Sequence, residues 1–95
     1  MAKSKVTITF NAIPTAGSIL ELQNSLAVGY GNIKETFQQI RSQNNISAIG
    51  TTIEECASNF QQAVQYDTNN YGLYQTVVSG NVVIINALQS NVVFS

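Results

Sequence analysis

The clearest element of the chain is the stretch Thr52-Ile-Glu-Glu-Cys-Ala-Ser-Asn-Phe-Gln-Gln-Ala-Val-Gln-Tyr66. Its apolar residues recur at the helical spacing i, i+4, i+7 and i+11, at Ile53, Ala57, Phe60 and Val64. Thr52 and Glu55 have the spacing of a capping box, in which the threonine hydroxyl accepts from the backbone N–H three residues later. The sequence therefore predicts an amphipathic helix over about 53–66, ended by Asp67-Thr-Asn-Asn70.

The residues after this helix have the pattern of a β-hairpin. Two apolar-rich segments, Leu73 to Val78 and Val82 to Ala87, flank Gly80-Asn81, which suits a type II′ loop. Such a loop fixes four cross-strand pairs: Val78 with Val83, Val77 with Ile84, Thr76 with Ile85, and Gln75 with Asn86. Asn91-Val-Val-Phe-Ser95 is expected to end the chain as a final strand with an exposed edge.

The N-terminal residues alternate as a strand does. Within residues 5–11, Val6, Ile8 and Phe10 alternate with polar side chains, which is the period of a strand with one buried face. A second short extended segment follows at Ile19, Leu20 and Leu22, after a stretch that contains Pro14 and Gly17. These two strands are expected to form a β-hairpin with a long loop.

Residues 33–41 fit two structures. Asn32 and Glu35 have the spacing of a second capping box, which would start a helix here. Alternatively, the turn cluster at 43–45, followed by Ile46 and Ile49, would let Glu35 to Arg41 pair back as a hairpin with residues 46–49. The elements together predict one domain over residues 1–95 with an α+β fold, in which mainly antiparallel strands pack against the amphipathic helix at about 53–66.

The composition excludes several classes of function. Only nine of the 95 residues are charged, and 37 are Asn, Gln, Ser or Thr. With four Lys or Arg and a net charge of −1, the chain lacks the cationic patch that gives proteins most of their affinity for nucleic acid. The absence of His excludes catalytic triads of the Ser-His-Asp kind and zinc sites that use His.

Targeting and membrane segments are not expected either. The basic start of the chain is followed by the alternating residues 6–11 rather than by the continuous apolar stretch of a signal peptide. No window approaches the length of apolar sequence that spans a membrane.

Few side chains are candidates for chemistry. Cys56 is the only soft nucleophile, and its helical position beside Phe60 predicts a small buried core residue. Glu54 and Glu55 point about 100° apart on a helix, so they fit a capping role better than acid–base catalysis. We expect no catalytic residue, no metal ligand and no cofactor. Tyr30, between two loop glycines, is the best candidate for an exposed contact residue.

Several segments together resemble a pattern in small β-rich structural modules of tailed-bacteriophage virion proteins, such as those of tails and baseplates. The segments are Glu35-Thr-Phe37, Ile46-Ser-Ala-Ile-Gly-Thr51, Thr52 to Val64, and the Val-Val-Ser-Gly-Asn-Val-Val-Ile hairpin. The resemblance implies that residues 35–41 are extended, and it implies a role in assembly without catalytic residues. Residues 24–34 have no clear counterpart in that pattern.

These observations predict a non-enzymatic structural subunit of a phage particle, which is made in the host cytoplasm and acts in the virion. Its expected partners are identical subunits and other virion proteins, with no nucleic acid and no membrane. The expected contact residues are Tyr30 and the C-terminal segment Asn91, Val92, Val93 and Phe94, and the strand at 5–11 is a second place for sheet extension. The alternatives are a monomeric module that binds a peptide or glycan through Tyr30, a flagellar or adhesion-type structural module, and an enzyme that uses Cys56.

Overall fold

The computed structural model describes residues 3–26 and 30–94, which form six strands and one α-helix. The strands are β1 (Lys5–Thr9), β2 (Ile19–Leu22), β3 (Ile33–Gln38), β4 (Ile46–Ala48), β5 (Tyr74–Ser79) and β6 (Val82–Ala87). The helix α1 (Ile53–Thr68) runs on into a 3-10 turn (Asn69–Tyr71). The predicted α+β class is confirmed.

The strands form two sheets of three. Sheet I has the order β1-β6-β5 and is antiparallel throughout. Sheet II has the order β2-β3-β4, in which β2 and β3 are antiparallel and β3 and β4 are parallel. The helix packs against strands of both sheets. In the described residues no helix has the length and apolar character needed to cross a membrane.

The core lies where the two sheets and the helix meet. Three phenylalanines from different parts of the fold contact one another: Phe10 after β1, Phe37 on β3 and Phe60 on α1, with ring centroids 5.6 to 6.0 Å apart. All three are buried, and Phe60 is fully enclosed. Aromatic contacts of this kind add about 0.5–1.5 kcal/mol each beyond the area they bury. Phe60, at the centre of the apolar stripe of the helix, thus packs against residues that precede it by 23 or more positions.

The helix begins as predicted. Thr52 is its N-cap, and the threonine hydroxyl accepts from the backbone N–H of Glu55 at 3.0 Å. The carboxylate of Glu55 accepts from the N–H of Thr51 at 3.3 Å, one residue earlier than a capping box places it. The helix extends to Thr68 rather than to Tyr66, and Asp67, predicted to lie in the terminating turn, is inside it.

The C-terminal hairpin is also confirmed. All four predicted pairs are among the six observed between β5 and β6. Gly80 has a φ of +58° and Asn81 is not among the residues with positive φ, which is the combination that a type II′ loop requires. A two-residue loop fixes the register of its strands, so the prediction needed no knowledge of the rest of the fold.

The predicted hairpin of the first two strands is wrong. β1 extends over Lys5–Thr9 and pairs with β6, and the backbone N–H of Phe10 donates to the carbonyl of Asn81. β2 pairs instead with β3, and the loop before β2 is bonded to the same strand through Gly17 N–H and the Phe37 carbonyl. Each strand thus takes a partner distant in sequence, and the two belong to different sheets.

Residues 33–38 form a strand, so the extended structure implied for 35–41 is confirmed for its first part. The predicted hairpin with 46–49 is wrong in direction, because β4 runs parallel to β3. The connection of residues 39–45 turns the chain back before β4 begins, and it is held by two side chains: Arg41 donates to the Ile46 carbonyl at 2.6 Å, and Asp67 accepts from the Asn45 N–H at 3.0 Å.

Candidate functional site

The C-terminal segment predicted as a contact strand is not a strand. It forms one isolated bridge, between Phe94 and Asn24, and the ring of Phe94 stacks on Tyr74 with centroids 5.5 Å apart. Val92 is fully buried in the core, so its side chain is not available to a neighbouring molecule. Ser95, the last residue of the predicted strand, lies outside the described residues.

The remaining predicted contact residues lie at the surface. Asn91 and Val93 are exposed, and both are tied to Ser25, whose hydroxyl donates to the Asn91 carbonyl and accepts from the Val93 N–H. Tyr30 is 49% exposed and packs edge-on against Tyr71 with ring centroids 5.2 Å apart. Asn24 connects the two regions, because its side-chain amide donates to the Tyr30 carbonyl at 3.0 Å and its backbone forms the bridge to Phe94.

Side chains of the helix occupy the outer edge of β5. Gln65 accepts from the Thr76 N–H at 2.8 Å and from its hydroxyl at 2.9 Å, and Gln61 donates to that hydroxyl at 2.7 Å. The same glutamines reach the carbonyls of Thr76 and Tyr74 at 3.5 Å. The outer edge of β5 is therefore closed at these positions.

The outer strand of sheet II is bound to the helix in a similar way. The Asn59 amide donates to the Ala48 carbonyl at 3.3 Å. Together with the Arg41 bond to Ile46, this gives two of the three carbonyls of β4 a side-chain partner. Side chains of α1, together with Arg41 at β4, therefore bond to the outer edges of β4 and β5, one from each sheet.

The opposite edges of the two sheets, β1 and β2, are open. The Ser4 carbonyl accepts from the Ala87 N–H, and the Phe10 N–H donates to the Asn81 carbonyl. Successive residues of a strand direct their backbone groups to opposite sides. The backbone groups of Lys5, Thr7 and Thr9 therefore point away from β6. On the other sheet, the Ser18 carbonyl accepts from the Phe37 N–H. By the same alternation, the backbone groups of Ile19 and Glu21 point away from β3. Within residues 3–26 and 30–94, no described hydrogen bond reaches these five outward-pointing residues.

The open edges carry opposite charges. Lys5 is exposed on β1, and Glu21 is exposed on β2. The nearest cation along sheet II is Lys34, which lies opposite Glu21 on β3. The ion pair found among the described residues is elsewhere, between Arg41 and Asp67. The exposed side chains of the two edges are otherwise neutral, and Ile19 is 57% exposed.

A buried acidic pair lies under β4. Glu35 is 1% exposed, accepts from the Ser47 hydroxyl at 2.8 Å and shares a hydrogen bond with the carboxyl group of Asp67. Asp67 has a side chain 5% exposed and receives both terminal nitrogens of Arg41, at 2.7 and 3.2 Å. Arg41 also lies over the ring of Tyr66, 5.5 Å from its centroid.

The two carboxyl groups of this pair titrate in opposite directions. Desolvation, together with the hydrogen bond to Asp67, raises the pKa of Glu35 to about 8. Burial alone would raise the pKa of Asp67, but hydrogen bonds from Arg41, Glu35 and the Asn45 backbone outweigh it and lower that pKa. At neutral pH the neutral Glu35 therefore donates to the carboxylate of Asp67, which is paired with Arg41.

A carboxyl group with a raised pKa is a common feature of acid–base catalysts, but this one is enclosed. The neighbouring groove, of about 380 Å³, is lined by Arg41, Ala48, Asn59, Gln62, Ala63 and Tyr66, and by neither carboxyl group. The described contacts of the pair join β3, β4, α1 and the 39–45 connection. The arrangement is suited to holding these elements together.

Cys56 is buried, as predicted, and is fully enclosed. Its sulfur lies 3.3 Å from the Gly50 nitrogen and 3.7 Å from the Gly50 oxygen. No group of three or more metal-ligating side chains occurs among the described residues.

Sequence reasoning missed the two features that organise this surface. Nothing in the spacing of Gln61 and Gln65 indicates that they bond to a strand edge, because a polar helix face is ordinarily solvated. The burial of Glu35 was not predicted, because its spacing from Asn32 matched that of a capping box at the start of a helix. Its alternation with Ile33 and Phe37, both buried on the same strand face, was the available signal.

No protein-family model matches the chain, and comparisons with curated proteins and with solved structures also find no match.

Proposed function

We propose that this protein is a non-enzymatic structural subunit that assembles through contacts between its own copies. The observation that carries the proposal is the asymmetry of the strand edges. Side chains of α1, with Arg41 at β4, bond to the outer edges of β4 and β5. Among the described residues no hydrogen bond reaches the outward-pointing backbone groups of β1 and β2, which another chain could therefore bind. Open edges favour pairing between molecules, and proteins that remain monomeric usually protect them.

The composition supports the same proposal. Neutral Asn, Gln, Ser and Thr side chains make up 37 of the 95 residues, and they form hydrogen bonds across an interface without the desolvation cost of ions. A net charge of −1 provides little repulsion between copies. The placement in a phage particle, in a tail, baseplate or other virion component, rests on the resemblance to phage structural modules.

The assembly proposal is tested by gel filtration with light scattering from low to high micromolar concentration. A particle mass above the 10.3 kDa of one chain, increasing with concentration, is the expected result. A strictly monomeric protein over that range, with no partner in virion extracts, would contradict the proposal. Labelling of particles with an antibody to the protein tests the virion placement separately.

A second candidate function is a module that binds a peptide or glycan through Tyr30. The pair of exposed aromatic rings at Tyr30 and Tyr71 favours it, since tyrosines give a large contact area with few rotatable bonds. Tyr30→Ala should then abolish binding to a peptide or glycan array and leave assembly unchanged. Equal binding by wild type and variant would remove this candidate.

A further inference from the structure

The two open edges match each other in hydrogen-bonding pattern. On β1 the outward-pointing residues are Lys5, Thr7 and Thr9, and on β2 they are Ile19 and Glu21. In an antiparallel pair, the residues that exchange both backbone bonds lie directly opposite each other. If Lys5 lies opposite Glu21, Thr7 lies opposite Ile19, and both pairs consist of outward-pointing residues.

The same register also matches the faces of the two sheets. Lys5, Thr7, Ile19 and Glu21 all have solvent-exposed side chains. The intervening residues Val6 and Leu20 are both partly buried against the core and would lie opposite each other. Directly opposed residues of an antiparallel pair project from the same face, so the exposed and core-facing surfaces of the two sheets would each continue across the junction.

The charges favour this pairing over pairing of like edges. Lys5 opposite Glu21 is an attractive cross-strand pair, and Glu21 would then lie between Lys5 of one molecule and Lys34 of its own. Two β1 edges would bring two lysines to the interface, and two β2 edges would bring two glutamates. Neither of those combinations offers an opposite charge from the edge residues themselves.

We propose that β1 of one molecule pairs antiparallel with β2 of a second copy, with Lys5 opposite Glu21 and Thr7 opposite Ile19. The two three-stranded sheets then join in the order β5-β6-β1-β2-β3-β4 across the junction. Because each copy has one β1 edge and one β2 edge, the contact is head-to-tail and repeats into a ring or a filament. This inference rests on the proposed assembly function and specifies its contact.

Reversal of the two charges tests the contact. Lys5→Glu and Glu21→Lys are each purified and examined by light scattering at low salt, where exposed charges are least screened. Each variant alone should need about fivefold or more protein than wild type for half-maximal assembly, because an attractive pair becomes repulsive. An equimolar mixture of the two should assemble as wild type does, since each contact then joins opposite charges.

Two controls separate this contact from general effects. Glu54→Lys makes the same change in net charge as Glu21→Lys but lies at the start of α1, so it should assemble as wild type does. Thr7→Pro removes an outward N–H and leaves the bonds to β6 in place, so it should fold, by circular dichroism, and lose assembly. Thr7→Val retains the N–H and should assemble.

The outcomes distinguish the contact from the function. Assembly of wild type together with undiminished assembly of the folded charge and proline variants would overturn the β1–β2 contact and leave the proposed function standing. Failure of the mixture to recover assembly would also overturn the contact. A wild-type protein that stays monomeric at every concentration would overturn both.

Discussion

Glu35 is the residue whose chemistry differs most from what its type would suggest. It is a carboxyl group 1% exposed, and it remains neutral at neutral pH because the alternative is a second buried negative charge beside Asp67. Hydrogen bonds with Ser47 and Asp67 satisfy the carboxyl group of Glu35. Arg41 pairs with the remaining negative charge, which is on Asp67. A buried polar group of this kind is tolerable only while each of its bonds is made.

Glu35 makes the stability of the protein depend on pH. Its pKa is about 8 in the folded protein and 4.5 in an unfolded chain, so the folded state binds the extra proton between these values. Its contribution to stability is therefore complete below about pH 4.5 and is lost as pH rises toward 8, with a slope of at most about 1.4 kcal/mol per pH unit. Urea denaturation of wild type at pH 5, 6.5 and 8 measures this slope.

Glu35→Gln should remove that slope, because an amide can still bond to Ser47 and Asp67 but does not titrate. Glu54→Gln, at an exposed carboxyl group on the first turn of the helix, should retain it. The lowered pKa of Asp67 acts only in more acidic solution, where stability is lost as pH falls. An unchanged slope in Glu35→Gln would contradict the assignment.

At this scale the sequence predicted residues whose role is set by near neighbours. Thr52 is the helix cap and Cys56 a buried thiol because both roles depend on the helical period around them. The neutral state of Glu35 depends on its burial and on Asp67, 32 positions away, and no local pattern specifies either.

Among the elements, α1 has two roles. Its apolar stripe covers the core, and its polar side chains Asn59, Gln61 and Gln65 bond to the outer strands of both sheets. A glutamine amide has both donors and an acceptor, so it can stand in for a neighbouring strand at an edge. This explains why the helix face opposite the stripe is rich in amides.

Gln65→Ala should destabilise the protein by about 1–3 kcal/mol, because the Thr76 N–H loses its acceptor in a mostly buried position. It should also increase aggregation, since part of the β5 edge is opened. Urea denaturation and light scattering measure the two effects.

Gln62→Ala is the matched control on the same helix. Gln62 is exposed and has no described bond to a strand edge, so its removal should change stability by about 0.5 kcal/mol or less. Equal effects of the two substitutions would show that Gln65 does not seal the edge.

The elements that the sequence predicted well are those with local pairing. The β5–β6 hairpin was predicted down to its register, because its two-residue loop leaves one arrangement. The partner of β1 was not predicted, because β6 lies more than 70 positions later. Alternation of polar and apolar residues identifies a strand but does not specify the strand with which it pairs. The direction of β4 depends on the bonds of Arg41 and Asp67, which the pattern of β4 does not contain.

For the molecule as a whole, charge is concentrated away from the C-terminal third. Residues 68–95 contain no charged side chain, and they supply β5 and β6, the outer and central strands of sheet I. The exposed charges of the open edges belong instead to the N-terminal third, at Lys5 and Glu21. The positions of the charged residues along the chain are read directly from the sequence. Which strand edges are open depends on where the helix packs, and the sequence pattern does not specify that.

The thiol of Cys56 reports on opening of the whole core. In the folded protein it should react with a thiol reagent about 10³-fold or more slowly than in urea, as expected for a core residue in a protein stable by about 5 kcal/mol. A thiol placed at the exposed position by Gln62→Cys, with Cys56→Ala, should react at the full rate. Fast reaction of Cys56 in the folded wild type would instead favour an activated, catalytic thiol.

The parallel pairing of β3 and β4 has a consequence for the order in which the chain folds. The 39–45 connection is fixed by a carboxylate 22 positions beyond Asn45, on the last turn of α1. The native alignment of β3 and β4 therefore depends on the last turn of α1 being in place. We therefore expect the helix and the C-terminal hairpin, which need only local contacts, to form first, and sheet II to complete its third strand last.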